Sequence, residues 1–493
     1  MKPNRREEVD AGVKTCPVPA GRQTGPCFAF ALVMLSFAAL LLRLYAATDN
    51  FWLDEIFTYF LAINQVHRVA EIFTGIRVEH QPLVTLTIYL LGDQPNWLWY
   101  RLPSVITGSG TLALMALVGY CRMRSAALIA TLAVAAVSYP LVVYSSEARG
   151  YAPAAFFSLA MFIFLDAYWR RGNQAFLIGF WSTTVIAALY HPAAICIYLS
   201  LGLWSLVREW RIGGGLPRVV RGLALCHAVP LAFLAWFYFS VMRQWGSVGG
   251  DILPLLRVVG DTMAAALGLP MQTGFRVGAL FLGGGLIASG LLILARLVRS
   301  DTWAFYLSAL LLTPALMLWI SGRPYVYVRY FVVLFPFFYL MLGEAMDAVV
   351  RRFNGARAGV IGLCLLMLVG NGLSTADFLR VGRGGYLDAV QYMAANTPRP
   401  KIQVGGDHDF RNGLPIYFYS RYLPKNRGMV YLRPDVWPPD GPDWFLVHNT
   451  CSEEFIPDTV VKVGGRIFRL AKSYPVLGLS GVGWHLYRND AKF

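Results

Sequence analysis

Two adjacent carboxylates stand in the stretch Phe51-Trp52-Leu53-Asp54-Glu55-Ile56-Phe57-Thr58-Tyr59, a few residues past the end of the first long apolar run. Acids are scarce in this chain, 28 Asp and Glu among 493 residues. An ionisable pair at the edge of an apolar bundle is costly to keep, which makes it a functional candidate by default. A pair that leaves the membrane beside Trp52, Phe57 and Tyr59 is placed where a lipid-borne substrate would arrive. Three more polar groups recur: Glu79-His80-Gln81-Pro82-Leu83, Ser145-Ser146-Glu147-Ala148-Arg149-Gly150-Tyr151, and Arg323-Pro324-Tyr325-Val326-Tyr327-Val328-Arg329-Tyr330-Phe331. His191 is a further candidate. A guanidinium offers a planar fork to phosphate or carboxylate. Imidazole and carboxylate are the other polar side chains of these groups, in Glu79, His80, His191 and Glu147. Each group alone also has a bland reading. Arginine at a helix end snorkels, tyrosine there joins an aromatic belt, and histidine beside proline caps or packs.

The elements that must hold these residues are membrane helices. The chain is 56% hydrophobic and 14% charged, with a mean hydropathy of +0.50, whereas a soluble domain carries about 25% charged residues. Apolar runs long enough to cross a bilayer recur from residue 28 to residue 374. The net charge of +15 falls mostly in short loops between those runs, a pattern that concerns membrane orientation and implies no nucleic-acid partner. There are seven cysteines, of which Cys451 alone lies in the polar tail, and no Cys-x-x-Cys occurs. Neither a zinc knuckle nor a disulfide framework is indicated. The apolar run from Cys27 to Ala47 exceeds the ~7–15 residues of a signal h-region and reads as a retained first helix.

The basic clusters thread the chain. Lys2, Arg5, Arg6, Lys14 and Arg22 place the head, residues 1–27, in the cytoplasm. Cytoplasmic turns then carry Arg122 and Arg124; Arg170 and Arg171; Arg208, Arg211, Arg218 and Arg221; Arg296 and Arg299; and Arg351, Arg352 and Arg357. Asp54, the Glu147–Tyr151 stretch, His191 and Arg323–Tyr330 fall on the opposite face. Arginine on that face needs a reason, and an anionic ligand supplies one. The alternation predicts about 11–13 transmembrane helices. Pro82 to Leu91 is too short to span, since a helix needs about 20 residues.

Residues 28–375 thus form the membrane domain, with an outer loop over 48–81, and 376–493 form a tail on the same face as Asp54. In the tail, strand-like runs at Lys401–Val404, Met429–Leu432, Trp444–Val447 and Trp484–Tyr487 alternate with helical stretches at Gly385–Asn396 and Leu414–Tyr422, which predicts a small α/β domain.

Taken in order, Trp52-Leu53-Asp54-Glu55, Glu79-His80-Gln81-Pro82-Leu83, Arg101-Leu102-Pro103-Ser104, Ser146-Glu147-Ala148-Arg149-Gly150-Tyr151 and Arg329-Tyr330-Phe331 resemble the landmarks of GT-C fold glycosyltransferases. The branch they look most like is the protein O-mannosyltransferase-like group, which includes lipid A and lipopolysaccharide sugar transferases. The family often shows Asp-x-His-Pro-Pro-Leu where this chain has Val78-Glu79-His80-Gln81-Pro82-Leu83, so the acid is displaced to Glu79. No Asp-x-Asp nucleotide-sugar motif is evident, which fits a lipid-linked donor.

The resemblance implies a multi-pass protein of a bacterial inner membrane with its active site and tail in the periplasm. It would be an inverting enzyme that moves a sugar from a polyprenyl-phosphate donor to a hydroxyl of a lipid, glycan or protein. Asp54 would be the base, with Glu55 beside it. Arg149 and Arg329 would bind the donor phosphate, supported by Arg323, Tyr330 and Tyr151, and a divalent metal could share that task, with Glu79, His80 or His191 as its ligands and Glu147 in support. A transporter or flippase of a lipid-linked sugar is the competing class. Transporters often show internal repeats and midplane charges, whereas here no repeat is apparent and the charges gather at one face. A mere membrane anchor for the tail leaves Asp54, Glu55 and the outer-face arginines unexplained.

Overall fold

The computed structural model describes residues 25–74, 81–213, 215–244, 252–321, 326–450, 455–462 and 465–492. The helices are α1 (Pro26–Ala46), α2 (Leu53–Asn64), α3 (Val69–Thr74), α4 (Pro82–Leu91), α5 (Leu98–Tyr120), α6 (Ser125–Val137), α7 (Tyr139–Ser145), α8 (Tyr151–Arg171), α9 (Gln174–Tyr190) and α10 (Ala194–Ile212). They continue as α11 (Gly215–Ser240), α12 (Leu255–Leu267), α13 (Thr273–Ile293), α14 (Thr302–Leu307), α15 (Thr313–Ser321), α16 (Phe335–Arg352), α17 (Arg357–Val381), α18 (Tyr386–Ala395) and α19 (Asp409–Ser420). The chain divides into two compact units. One is drawn from Met1–Leu44, Arg68–Leu86 and Tyr100–Ser374, the other from Tyr45–His67, Thr87–Trp99 and Thr375–Phe493.

The first unit is a helical bundle, as lipid demands: with no water to satisfy backbone polar groups, each segment must close its own hydrogen bonds. Among the described residues 8 helices are long and apolar enough to cross a membrane, or 9 if the bent pair α6 and α7 is one span. α4 has 10 residues and is too short to cross, as its sequence predicts.

The bent pair turns by 56°, and the cause is readable in the chain. Pro140 has no N–H, so the carbonyl four residues back, that of Ala136, loses its helical donor. Arg43 Nη1 donates to that carbonyl instead, at 3.2 Å. The N–H of Tyr139 goes to Asn371 Oδ1 at 3.0 Å, and Ser138 Oγ meets the Tyr339 hydroxyl at 2.9 Å. The groups freed at the break are thus met by side chains of neighbouring helices.

One end of the bundle collects the loop arginines. Arg122 lies 3.4 Å from Glu344 and 3.6 Å from Asp166. Arg124 Nε lies 2.7 Å from Asp347, which Arg351 also meets at 3.3 Å. Arg170 meets Asp166 at 3.0 Å, and Tyr306 donates to Glu344 at 2.8 Å. The turns at Arg122–Arg124, Arg170 and Arg351, which the sequence predicts on one face, do share one end.

The second unit holds a six-stranded sheet of order β2-β1-β3-β6-β5-β4. The strands are β1 (Lys401–Gly406), β2 (Gly428–Tyr431), β3 (Trp444–Asn449), β4 (Thr459–Lys462), β5 (Arg466–Tyr474) and β6 (Gly483–Asn489). β1 runs parallel to β2 and β3, and the remaining pairs are antiparallel. Phe445, Phe468 and Tyr487 centre its core. The expected strands at 401–404, 429–432, 444–447 and 484–487 are present, slightly extended or shifted. The hairpin of β4 and β5 is additional, and its largely exposed strands explain why no apolar run betrays it. α2 also belongs to this unit, packing aromatic side chains on α19: Phe57 on Phe410 at 5.6 Å and Phe60 on Tyr417 at 5.2 Å.

Candidate active site

In the helical unit, the segment between α7 and α8 is a tight turn, Ser146-Glu147-Ala148-Arg149-Gly150, with Glu147 fully buried and Arg149 5% exposed. Side chains from two other segments fasten its backbone. Gly150 N–H donates to Gln81 Oε1 at 2.7 Å, and Ser104 Oγ donates to the Arg149 carbonyl at 2.9 Å. Gly150 is required by close approach: a Cβ there would lie 2.0 Å from the Tyr190 carbonyl oxygen. Three of the sequence motifs therefore meet through backbone bonds, and Gln81 and Ser104 serve as struts.

The end of α9 comes to the same place. The Tyr151 ring lies 4.6 Å from the His191 ring and 5.2 Å from that of Tyr144. His191 Nδ1 accepts the Ala193 N–H at 3.1 Å, so in the neutral ring the proton sits on Nε2. From the 3-10 turn Val328–Leu334, the Tyr330 ring lies 6.1 Å from that of His191, tilted by 34°. Arg329 lies over Tyr327 at 4.7 Å and over Tyr330 at 5.8 Å, while Arg149 lies 5.9 Å from the Tyr151 ring. The Tyr144 hydroxyl is within electrostatic reach of both Glu147 and Arg329. Two guanidinium groups, one buried acid, one imidazole and a set of tyrosines thus converge from segments far apart in sequence. Cations set on aromatic faces in a low-dielectric surround hold an anion strongly.

Among the predicted residues, Glu147, Arg149, Tyr151, His191, Arg329 and Tyr330 are brought together. Glu79, His80 and Arg323 lie outside the described residues. Among the described residues no group of three His, Cys, Asp or Glu could hold a metal ion. Tyr144, within electrostatic reach of Glu147 and Arg329, lies inside an apolar run and carries no signal of its own in the sequence.

In the sheet unit, Asp54 and Glu55 occupy the first turn of α2, and their fates differ. Glu55 is fully buried and accepts the Trp52 N–H at 3.1 Å, closing the helix start. Its observed work is structural. Asp54 is half-buried, its carbonyl accepts the Thr58 hydroxyl at 2.9 Å, and its charge reaches Tyr386 at the start of α18. Asp49 also reaches Tyr386; it accepts the Arg383 N–H at 2.8 Å and pairs with that fully buried arginine at 3.4 Å. Beside them lies a polar cavity of about 230 Å³ lined by Thr48, Asp49, Asn50, Gly385 and Asp388, among others. These polar partners of the loop were not singled out in the sequence, because their pairing spans over 330 residues.

The carboxyl ends of β1 and β3 carry a second polar cluster, also unpredicted. His448 Nδ1 donates to Asp407 at 2.9 Å and its Nε2 accepts from Arg411 at 2.8 Å. Asn412 adds a bond to Asp407 at 2.8 Å.

No protein-family model matches the chain, and no curated protein matches it in sequence. Solved structures do. The Archaeoglobus fulgidus oligosaccharyltransferase, in complex with zinc and sulfate, is 12% identical with a TM-score of 0.51, over 85% of this chain and 67% of that one. Its apo form gives 11% identity and a TM-score of 0.50 over 83% and 65%. ArnT from Cupriavidus metallidurans in the apo state is 14% identical with a TM-score of 0.48, over 85% and 93%. The fold is of the GT-C type, a helical bundle with a small C-terminal sheet domain.

Proposed function

We propose that this protein is an inverting glycosyltransferase that uses a polyprenyl-phosphate-linked sugar and delivers it to a hydroxyl of a lipid A, glycan or protein acceptor. The observation that carries this reading is the convergence of Arg149 and Arg329 around Tyr151, His191 and Tyr330 in the bundle. The acceptor oxygen attacks the anomeric carbon from the face opposite the phosphate. The bond from that carbon to the phosphate oxygen breaks, and the lipid phosphate leaves with the electron pair. Its added negative charge is what the two guanidinium groups are placed to stabilise, with greater effect where water is excluded. The hydroxyl proton passes to Asp54, whose neighbour Glu55 is already committed to the helix start. The protein would sit in a bacterial inner membrane with this chemistry on the periplasmic side.

The test is direct. Protein purified in detergent is offered a synthetic polyprenyl-phosphate sugar, and release of polyprenyl phosphate is followed. Asp54→Asn should lower turnover by about 10²–10⁴, the usual weight of a general base, while the protein still inserts. Translocation of the donor across proteoliposomes without phosphate release would instead establish the transporter class, and near-normal turnover in Asp54→Asn would remove the base assignment.

A further inference from the structure

Arg43 sits near the end of α1, inside the bundle, and is 1% exposed. An ionisable side chain so placed is expensive and asks for a function. Its Nη1 donates to two carbonyls, Ala39 at 3.1 Å and Ala136 at 3.2 Å, while its Nε has no hydrogen-bond partner. Among the described residues no carboxylate forms a salt bridge with it. The second carbonyl is the one that Pro140 leaves without a donor, so Arg43 holds the break between α6 and α7.

Arg43 also lines a small cavity of about 10 Å³ together with Gly108, Thr111, Tyr144, Ser145 and Val332. Tyr144 and Ser145 end α7 and lead directly into Glu147 and Arg149. Val332 lies in the 3-10 turn that carries Arg329 and Tyr330. The cavity wall therefore touches both arms of the anion site. Its packing is tight there, since a Cβ on Gly108 would lie 2.1 Å from Ser145 Oγ.

We propose that Arg43 is a positioning residue for the lipid-phosphate site: it fixes the broken span and the floor from which the arms bearing Arg149 and Arg329 rise. This inference rests on the reading that those two arginines bind the donor phosphate. Arg43 does not touch the ligand itself.

The experiment is a mutant cycle on the full-length protein, with polyprenyl phosphate alone as the binding probe and donor and acceptor KM as the kinetic readouts. Arg43→Met should weaken polyprenyl-phosphate binding and raise donor KM roughly tenfold, leaving acceptor KM unchanged, and Arg43→Lys should recover part. In an Arg149→Ala background, Arg43→Met should add clearly less than its tenfold effect in the wild type, because one of the two arms through which it acts is already disabled. Losses that multiply in that background, or that raise acceptor KM equally, would mean general loosening and would overturn the proposal. So would normal donor KM in Arg43→Met. If Arg43→Met does not insert, Arg43→Lys in the same two backgrounds decides between the same outcomes. Normal probe binding by Arg149→Ala would refute the phosphate-site reading and this inference with it. Impaired binding by Arg149→Ala with normal binding by Arg43→Met would refute this inference alone.

Discussion

Two residues show how neighbouring side chains of like chemistry can part company. Asp54 and Glu55 are indistinguishable as a sequence pair, yet Glu55 points back to the Trp52 N–H and is sealed from solvent, while Asp54 stays half-open. Glu55→Ala should therefore lower thermal stability, by about 1 kcal/mol for the lost cap, which a melting curve in detergent would register. Gly150 is a comparable case on the arginine arm. With 2.0 Å between its would-be Cβ and a backbone carbonyl oxygen, Gly150→Ala must push α8 away from the end of α9. A stability loss of about 1–3 kcal/mol is expected, together with weaker donor binding. Arg149→Ala and Arg329→Ala should each reduce kcat by about 10²–10³, and lysine at either position should restore only part, since it lacks the fork. Wild-type turnover in Arg329→Ala would detach that arm from the chemistry.

At the scale of elements, the break between α6 and α7 is the feature on which the turn Ser146–Gly150 depends. A straight span would carry that turn elsewhere, and its orphaned groups are met by Arg43, Asn371 and Tyr339 from other helices. In the sheet unit, the ends of β1 and β3 carry titratable groups whose surroundings are unequal. Burial pushes the Asp407 carboxyl up, but bonds from His448 and Asn412 outweigh it and hold it below the usual carboxylate range. Burial lowers His485 on β6, with Asp407 pulling weakly the other way; burial and then Arg411 lower His408. For the histidines the folded pKa lies below the unfolded value, so the unfolded chain takes up protons first as pH falls. Their contribution is full above about pH 6.5 and is lost below it, and that of Asp407 is lost only as pH falls below about 3.9. Tryptophan fluorescence of the sheet unit in the intact protein should show a loss of stability in two stages on acidification. His485→Asn should diminish the upper stage and spare the lower.

For the whole molecule, orientation in the membrane is the open quantity with a simple measurement. The arginines of the Arg122–Arg124, Arg170 and Arg351 turns gather at one end of the bundle, and the positive-inside bias assigns that end to the cytoplasm. A reporter inserted between Arg351 and Arg357 should read cytoplasmic, and one fused after residue 375 periplasmic. A cytoplasmic reading for the second fusion would put the sheet unit, Asp54 included, on the cytoplasmic face and would overturn the proposed orientation.

The sequence by itself determined the membrane class, the non-spanning length of Pro82–Leu91 and the α/β character of the tail, because apolar run length, loop charge and strand-like patterning are local properties. It also ordered the motifs. That Gln81 and Ser104 brace the Glu147–Gly150 turn was decided only in the fold, since a backbone bond across 69 residues leaves no local trace. The same holds for Arg43, whose partner carbonyl lies 93 residues away. In an apolar helix it reads as a snorkelling anchor, and only the position of Pro140 in a neighbouring span gives it something to hold. The division of labour between Asp54 and Glu55 was likewise tertiary in part: helix geometry offers the capping position to Glu55, but the burial that commits it there comes from the packed unit around α2.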